Sequence, residues 1–357
     1  MKHSKKIAVI FIILLPLLFG FSNKKILFET HPYSLSYDTL AFEKPNIPAD
    51  NPMTVEGVAL GRFLFYDSLL SGNNKQSCSS CHLQHLAFSD GKRVSVGAYG
   101  DTLTKNAISL INLAWNNEYF WDGRERSLES LIRTPVTNQN EMRQDTIELI
   151  NELNKHPYYP LLFQTAFGKQ EITMDLVSKA LAQFLRTIIS NGVVLPDSIF
   201  PKLPAYVSDS KYMSQHIFDE TLQGTFLRLS QRCSSCHRTR LYVGTEMGND
   251  MVPEKGQKMK IPALVNIALT APYMHDGRYK TLKEVMQHYE KHIDEFTTAK
   301  VSSDLPGIYF TDYDVEHAAE VMEMFNDSSI ITNKSLSNPF AEINFNWKNY
   351  LQYIQTK

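Results

Sequence analysis

Cysteine is scarce in this chain, four among 357 residues, and tryptophan scarcer at three. Charge of one sign is not in excess: 36 Lys and Arg stand against 38 Asp and Glu, so nothing in the balance argues for a nucleic-acid partner. Low-complexity stretches and clear strand alternation are both missing. Long apolar runs are missing too, with one exception. IAVIFIILLPLLFGF covers fifteen uncharged residues, Ile7 to Phe21, just after Lys2, Lys5 and Lys6. That is the length of a signal-peptide core and short for a membrane span, so export is expected, with cleavage near Ser22 to Lys24. No cysteine follows the run directly, which excludes lipoprotein anchoring. The cleavage site is not a clean small-x-small pattern, and an uncleaved anchor is the alternative. No other segment reaches membrane-spanning length, so no stable membrane span is expected.

All four cysteines fall in one pentapeptide that occurs twice, CSSCH at 78–82 and again at 233–237. Chance would produce one C-x-x-C-H in roughly a thousand chains of this composition, and two far less often. A redox disulfide has no use for the histidine that follows each pair. A zinc site needs two further ligands in a compact module, whereas the pairs lie 155 residues apart. The remaining reading is covalent attachment of two c-type haems. Cys78 and Cys81, then Cys233 and Cys236, add to the vinyl groups, and His82 and His237 become proximal iron ligands. Attachment of this kind outside the cytoplasm agrees with export, and the expected compartment is periplasmic.

Apolar residues recur at helical spacing, most clearly in TMDLVSKALAQFLRTIIS, which Thr173 opens and which ends before Gly192. Asp145 with Glu148, and Thr281 with Glu284, make capping-box starts for two more helices. The fold class is mainly α, as small helical domains wrapped on haem would be. Pro196, Pro201 and Pro204 interrupt the pattern and place a domain boundary near residue 200. The expected division is a signal peptide over 1–22, one haem domain over 23–200 and a second over 201–357.

Those domains are copies of each other. LINLAWNNEYFWDGRERSLESL from Leu110 aligns without a gap to LVNIALTAPYMHDGRYKTLKEV from Leu264, an offset of 154. Cys78 precedes Asp122 by 44 residues, and Cys233 precedes Asp276 by 43. Each Asp-Gly-Arg reads as a tight turn with a salt bridge, Asp122 with Arg124 and Asp276 with Arg278.

Two C-x-x-C-H motifs together with YFWDGR, NEM and ALTAPYMHDGRYKTLKEV resemble the bacterial di-haem cytochrome c peroxidases, including their MauG-like members. The resemblance covers about residues 40 to 330. It implies hydrogen peroxide reacting at the N-terminal haem, electrons entering at the C-terminal haem, a calcium ion between the domains, and a small c-type cytochrome or cupredoxin as donor; family members are often homodimers. By the same resemblance Trp121 matches the tryptophan between the haems and Glu141 the distal-pocket glutamate. Asn106, Thr270 and Pro272 match the calcium site, the last two through backbone carbonyls, and calcium accepts such an oxygen set completed by water. Glu141 also suits the chemistry, because splitting bound peroxide requires a carboxylate to move a proton from the inner to the outer oxygen.

The family position of the distal ligand to the C-terminal haem falls on Tyr289, on the face that Leu282, Val285 and Met286 share. Met274, Met286 and His288 are the competing ligands. Shifted back by 154, the position falls on Pro135, which cannot bind iron. The first haem is therefore expected open and the second six-coordinate. Relatives often carry a gating histidine before the calcium asparagine; here SVGAYGDTLTKNA has none, and His85 is expected at the surface or a propionate. Leu131 stands where many relatives have a pocket glutamine. The leading activity is peroxide reduction to water. The alternatives are MauG-like oxidation of a protein substrate and a non-catalytic di-haem electron carrier.

Overall fold

The structure is a computed structural model and describes residues 30–39, 42–168, 171–191, 219–233, 237, 247–249, 258–296, 310–341 and 346. The signal segment, the boundary expected near residue 200 and Cys236 lie outside the described residues. Among the described residues the chain is mainly helical, with one two-stranded antiparallel ribbon, β1 (Met247–Asn249) and β2 (Lys258–Lys260). Among the described residues no helix is long and apolar enough to cross a membrane.

In the first half the scaffold is the pair α1 (Val55–Tyr66) and α5 (Met174–Arg186). They pack closely because α1 presents glycine one turn apart. A Cβ on Gly61 would stand 2.0 Å from the Ala180 carbonyl oxygen, and one on Gly57 would meet the Gln183 amide at 2.2 Å. Gln183 then receives the Thr54 N–H at 2.9 Å, securing the start of α1. Between this pair run α2 (Leu128–Thr137), α3 (Thr146–Lys155) and α4 (Tyr159–Phe167), whose apolar faces join one continuous core. In the second half α6 (Leu222–Cys233) crosses α8 (Asp312–Glu323), and α7 (Leu282–Phe296) lies against α8. Arg228 and Asp314, almost wholly buried, join α6 to α8 at 2.6 Å.

Helix α5 stops at Arg186, four residues short of the expected end at Ser190. The β-branched run Thr187-Ile188-Ile189 favours leaving the helix, and Asn112 captures the chain: its N–H donates to the Ile188 carbonyl, and its Oδ1 accepts from Ser190 N–H at 2.8 Å. Of the two expected capping boxes, Thr281 and Glu284 form theirs reciprocally. Asp145 caps α3 from Ile147 and Glu148 N–H without a return bond.

The duplication is visible in the backbone. Asn112 and Asn266 both take left-handed φ, 58° and 59°, ahead of matching 3₁₀ turns. Phe120 and Met274 repeat this at 61° and 70°, and a Tyr119–Glu125 bridge is echoed by Tyr273–Tyr279. Both Asp-Gly-Arg turns have glycine at positive φ and the expected aspartate–arginine pair. Asn266 repeats the capture too, accepting Asp327 N–H at 2.7 Å. The two captured residues then meet each other: Ser190 donates to Asp327 at 3.1 Å while accepting from Asn266 at 2.8 Å. This buried polar cluster is a seam between the repeats.

Beyond α8 the chain returns to the first half. It forms α9 (Ser328–Thr332) and two short turns and lays its carbonyls on first-half side chains. Arg62 donates to Ser337 and Lys334, Tyr66 to Leu336, and Gln84 to Ile330 and Asn333, at 2.6–2.9 Å. Ile330 and Leu336 are buried in the first core.

Candidate functional site

The two CSSCH histidines are held alike. His82 Nδ1 bonds the Phe88 carbonyl at 2.9 Å, and His237 Nδ1 bonds the Pro262 carbonyl at 2.7 Å. As proton donors to those carbonyls, both rings keep Nε2 free of a proton, the tautomer an axial iron ligand requires. Burial lowers both pKa values, that of His237 to about 4, so each imidazole is neutral. Cys78, Cys81 and Cys233 are in no disulfide. Burial raises the thiol of Cys78 to about 12 and raises that of Cys81 as well.

Next to His237 and Cys233 is a cavity of about 230 Å³ with mostly apolar walls. Helix α7 contributes Leu282, Val285, Met286 and Tyr289 to it, the four residues expected to share a face. Met274 lines it as well, while His288 is not among the lining residues and shares a hydrogen bond with the Tyr279 hydroxyl at 3.1 Å. A neutral histidine and a cysteine outside any disulfide, lining one cavity with a phenol and two thioethers, fit a covalently attached haem.

Trp121 also lines this cavity and is gripped from both repeats. Its indole N–H donates to the Asn106 carbonyl at 2.8 Å, and its own carbonyl receives Lys260 N–H at 2.7 Å. Asn106, Thr270 and Pro272, the three residues that the resemblance assigned to calcium, all line this cavity. Asn106 ties the halves here, donating its side-chain amide to Lys92 O at 2.7 Å and its backbone N–H to His275 O of the second repeat at 2.8 Å. Gly277 sits so close to Arg93 that a Cβ would stand 2.4 Å from its carbonyl oxygen.

Glu141 is on the other side, near the first CSSCH, where its charge acts on Cys81. Burial raises its pKa above the ordinary value, against the Asn138 amide that donates to Oε1 at 2.7 Å and the nearby Arg124 charge. The loop without histidine covers it. Ala98 N–H donates to Glu141 O at 2.8 Å, and a Cβ on Gly97 would be 2.0 Å from Asn140 O. Leu131 is partly buried against the core, Pro135 is inside α2, and His85 is exposed. Three features had no sequence signal read for them: the close α1–α5 contact, the return of the chain end to Gln84, and buried Lys260 in the cavity wall. For the first, the Gly57 and Gly61 spacing was there to be seen.

Comparison with known proteins agrees with this geometry. Residues 55–203 match the model of the di-haem cytochrome c peroxidase family. The chain is 33% identical over 262 residues to the methylamine utilization protein MauG of Methylorubrum extorquens, covering 68% of this chain and 71% of that protein. It is 30% identical over 261 residues to cytochrome c551 peroxidase of Nitrosomonas europaea, covering 68% and 75%. A crystal structure of a MauG-like protein associated with microbial copper homeostasis superposes with a TM-score of 0.65 at 26% identity, over 84% of this chain and 97% of that one. By sequence and by fold, the chain belongs to the di-haem cytochrome c peroxidase family, whose members carry two haem groups.

Proposed function

We propose that this protein reduces hydrogen peroxide to water on the His82 side, with electrons entering singly on the His237 side from a small c-type cytochrome or cupredoxin. The observation that carries the reading is the asymmetry between repeats. Tyr289 lines the His237 cavity, while the equivalent position on the other side is Pro135, and the desolvated carboxylate of Glu141 lies near Cys81 instead. Bound haem supplies the iron that takes up peroxide and exchanges electrons. Everything else is done by the chain. His82 and His237 would hold the two haem irons through their neutral Nε2 atoms. Glu141 accepts the proton of the inner peroxide oxygen and returns it to the outer one, and its raised pKa makes it the better acid for that return. Asn138 fixes Oε1 and so directs the other oxygen. Trp121, held by Asn106 and Lys260, is the aromatic relay between the sides.

Calcium on Asn106 and on the carbonyls of Thr270 and Pro272 would brace that relay, since the three residues belong to both repeats. Export to the periplasm and a division near residue 200 complete the proposal. A second reading is favoured by Tyr289 itself. A phenolate ligand stabilises ferric iron, which suits MauG-like withdrawal of electrons from a protein substrate. Steady-state turnover of peroxide with a reduced small cytochrome, in the presence of calcium, tests the first reading. Absence of turnover with every donor would overturn it, and peroxide-dependent oxidation of a partner protein would establish the second.

A further inference from the structure

The carbonyl that holds His82 is presented by a stretch of backbone that residues with a Cβ seldom adopt. Ala87 and Phe88, both fully buried, take left-handed φ of 52° and 60° in succession. The loop around them is tied tightly. Leu83 N–H donates to Ser89 O and Phe88 N–H to Leu83 O, each at 2.9 Å, and the Ser89 hydroxyl donates to Leu86 O at 2.8 Å. The loop ends on Asp90, a carboxylate only 4% exposed. Both of its oxygens are engaged: Oδ1 accepts Lys92 N–H at 3.0 Å, and Oδ2 accepts the Ser95 hydroxyl at 2.6 Å. These donors are neutral, so they fix the carboxylate in place without cancelling its charge. The chain also sets where that charge lies. Asp90 is two residues past Phe88, a span of about 7 Å at most, and the Phe88 carbonyl is itself 2.9 Å from His82 Nδ1. Its field reaches both anchors of the first CSSCH. On His82 it works against the larger effect of burial, and on Cys81 it adds to burial, ahead of the opposite effect of the exposed Lys92 ammonium. Buried Ser95 reaches the Cys81 thiol as well, so carboxylate, hydroxyl and attachment site form one cluster.

We propose that Asp90 is a positioning residue for the first haem: its fixed negative charge, at the end of the loop whose Phe88 carbonyl holds His82, stabilises oxidised iron on the His82 side. The charge makes the imidazole a stronger electron donor and lowers the midpoint potential there, an effect that burial strengthens by keeping water from screening it. Ser95 and the Lys92 N–H are the groups that keep the charge in position. The inference rests on haem attachment at His82 and is independent of the peroxide reading, so its test uses no peroxide.

The test compares Asp90→Asn, Asp90→Glu and Ser95→Ala in the haem-loaded protein, with the midpoint potentials of both haems read by spectroelectrochemistry. Asparagine can accept the Lys92 N–H through its amide oxygen and donate to the Ser95 oxygen, so it removes the charge and keeps the loop tied. It should raise the reduced-to-oxidised ratio of the first haem at fixed potential by about tenfold, 59 mV for a one-electron couple, and move the second haem by less. Glutamate restores the charge and should bring the ratio back toward the wild-type value. Ser95→Ala loosens the same loop but leaves the charge, and should shift the ratio much less than asparagine does. An unchanged first-haem potential in Asp90→Asn would overturn the proposal, as would an equal shift of both haems. A shift in Ser95→Ala as large as that in Asp90→Asn would also overturn it, leaving Asp90 a tie within the loop and nothing more. Haem uptake at Cys78 and Cys81 is counted by mass spectrometry. Uptake by the glutamate variant but not by the asparagine variant would uphold the requirement for charge, and failure of both would refute it.

Discussion

Replacing Glu141 by glutamine separates what the carboxylate does for the fold from what it does for the chemistry. In the native protein Oε1 accepts from Asn138 at 2.7 Å, and glutamine can accept the same bond through its amide oxygen. The exchange turns a bond to a charged group into a neutral one, a loss of about 1 kcal/mol, and relieves the cost of a buried charge, so stability should change little. The rate should change a great deal. An amide cannot take the peroxide proton, and loss of a general acid–base group costs about two to four decades, or about 3 to 5 kcal/mol in the barrier. The pH dependence adds a second mark. Burial raises the Glu141 pKa, so the wild-type rate of bond cleavage should fall as pH drops through a value above the ordinary 4.5, where the group gains its proton. Glutamine should remove that limb. Stopped-flow spectroscopy after mixing with peroxide measures both, and urea unfolding measures the stability. A wild-type cleavage rate in the variant, or an acid limb that survives the substitution, would refute the assignment.

Tyr289→Phe should alter the ferric spectrum of the second haem to a five-coordinate form or to that of a substitute ligand; optical and paramagnetic resonance spectra check it, and no change would return the position to Met274 or Met286. Trp121→Phe removes the indole donor to Asn106 O and should slow electron transfer between the haems with both still bound, which rapid-mixing reduction of one site by the other measures. Asp314→Asn leaves Arg228 buried without its countercharge and should cost about 3 to 5 kcal/mol in urea unfolding. In the wild type, burial would raise the Asp314 pKa, but bonds from Arg228, Thr311 N–H and Thr225 outweigh it and hold it low. Its stabilisation is therefore complete above the unfolded carboxylate pKa and lost as pH falls through the lower folded one, so the asparagine variant should show a flatter stability profile below about pH 4.

What could be read in advance was local or repeated. The CSSCH pairs, the Asp-Gly-Arg turns and the face of Leu282 to Tyr289 are short patterns whose geometry follows from spacing; the family resemblance singled out Tyr289, and the repeat offset then set Pro135 against it. What escaped depends on residues far apart in the chain. Nothing near Arg62 shows that its guanidinium will bond carbonyls at Lys334 and Ser337, 272 and 275 residues away. Glycine in α1 lowers helix propensity, so its role is visible only once α5 supplies a backbone to approach. The early end of α5 likewise needs Asn112, 78 residues before Ser190. Lys260 was silent because a single lysine beside a short strand reads as solvated surface until its neighbours are known.

The return of the chain end also has a meaning in time. Gln84, two residues past His82, is bonded to carbonyls that follow it by 246 and 249 residues. A chain made from its N-terminus presents Cys78 and Cys81 long before that closing segment exists. Loops of this span are also slow to close, since loop entropy must be met before the contact gives anything back. The contact that closes on Gln84 is thus among the last that the first half can make. A fragment lacking residues beyond 327 would leave both of those bonds unmade.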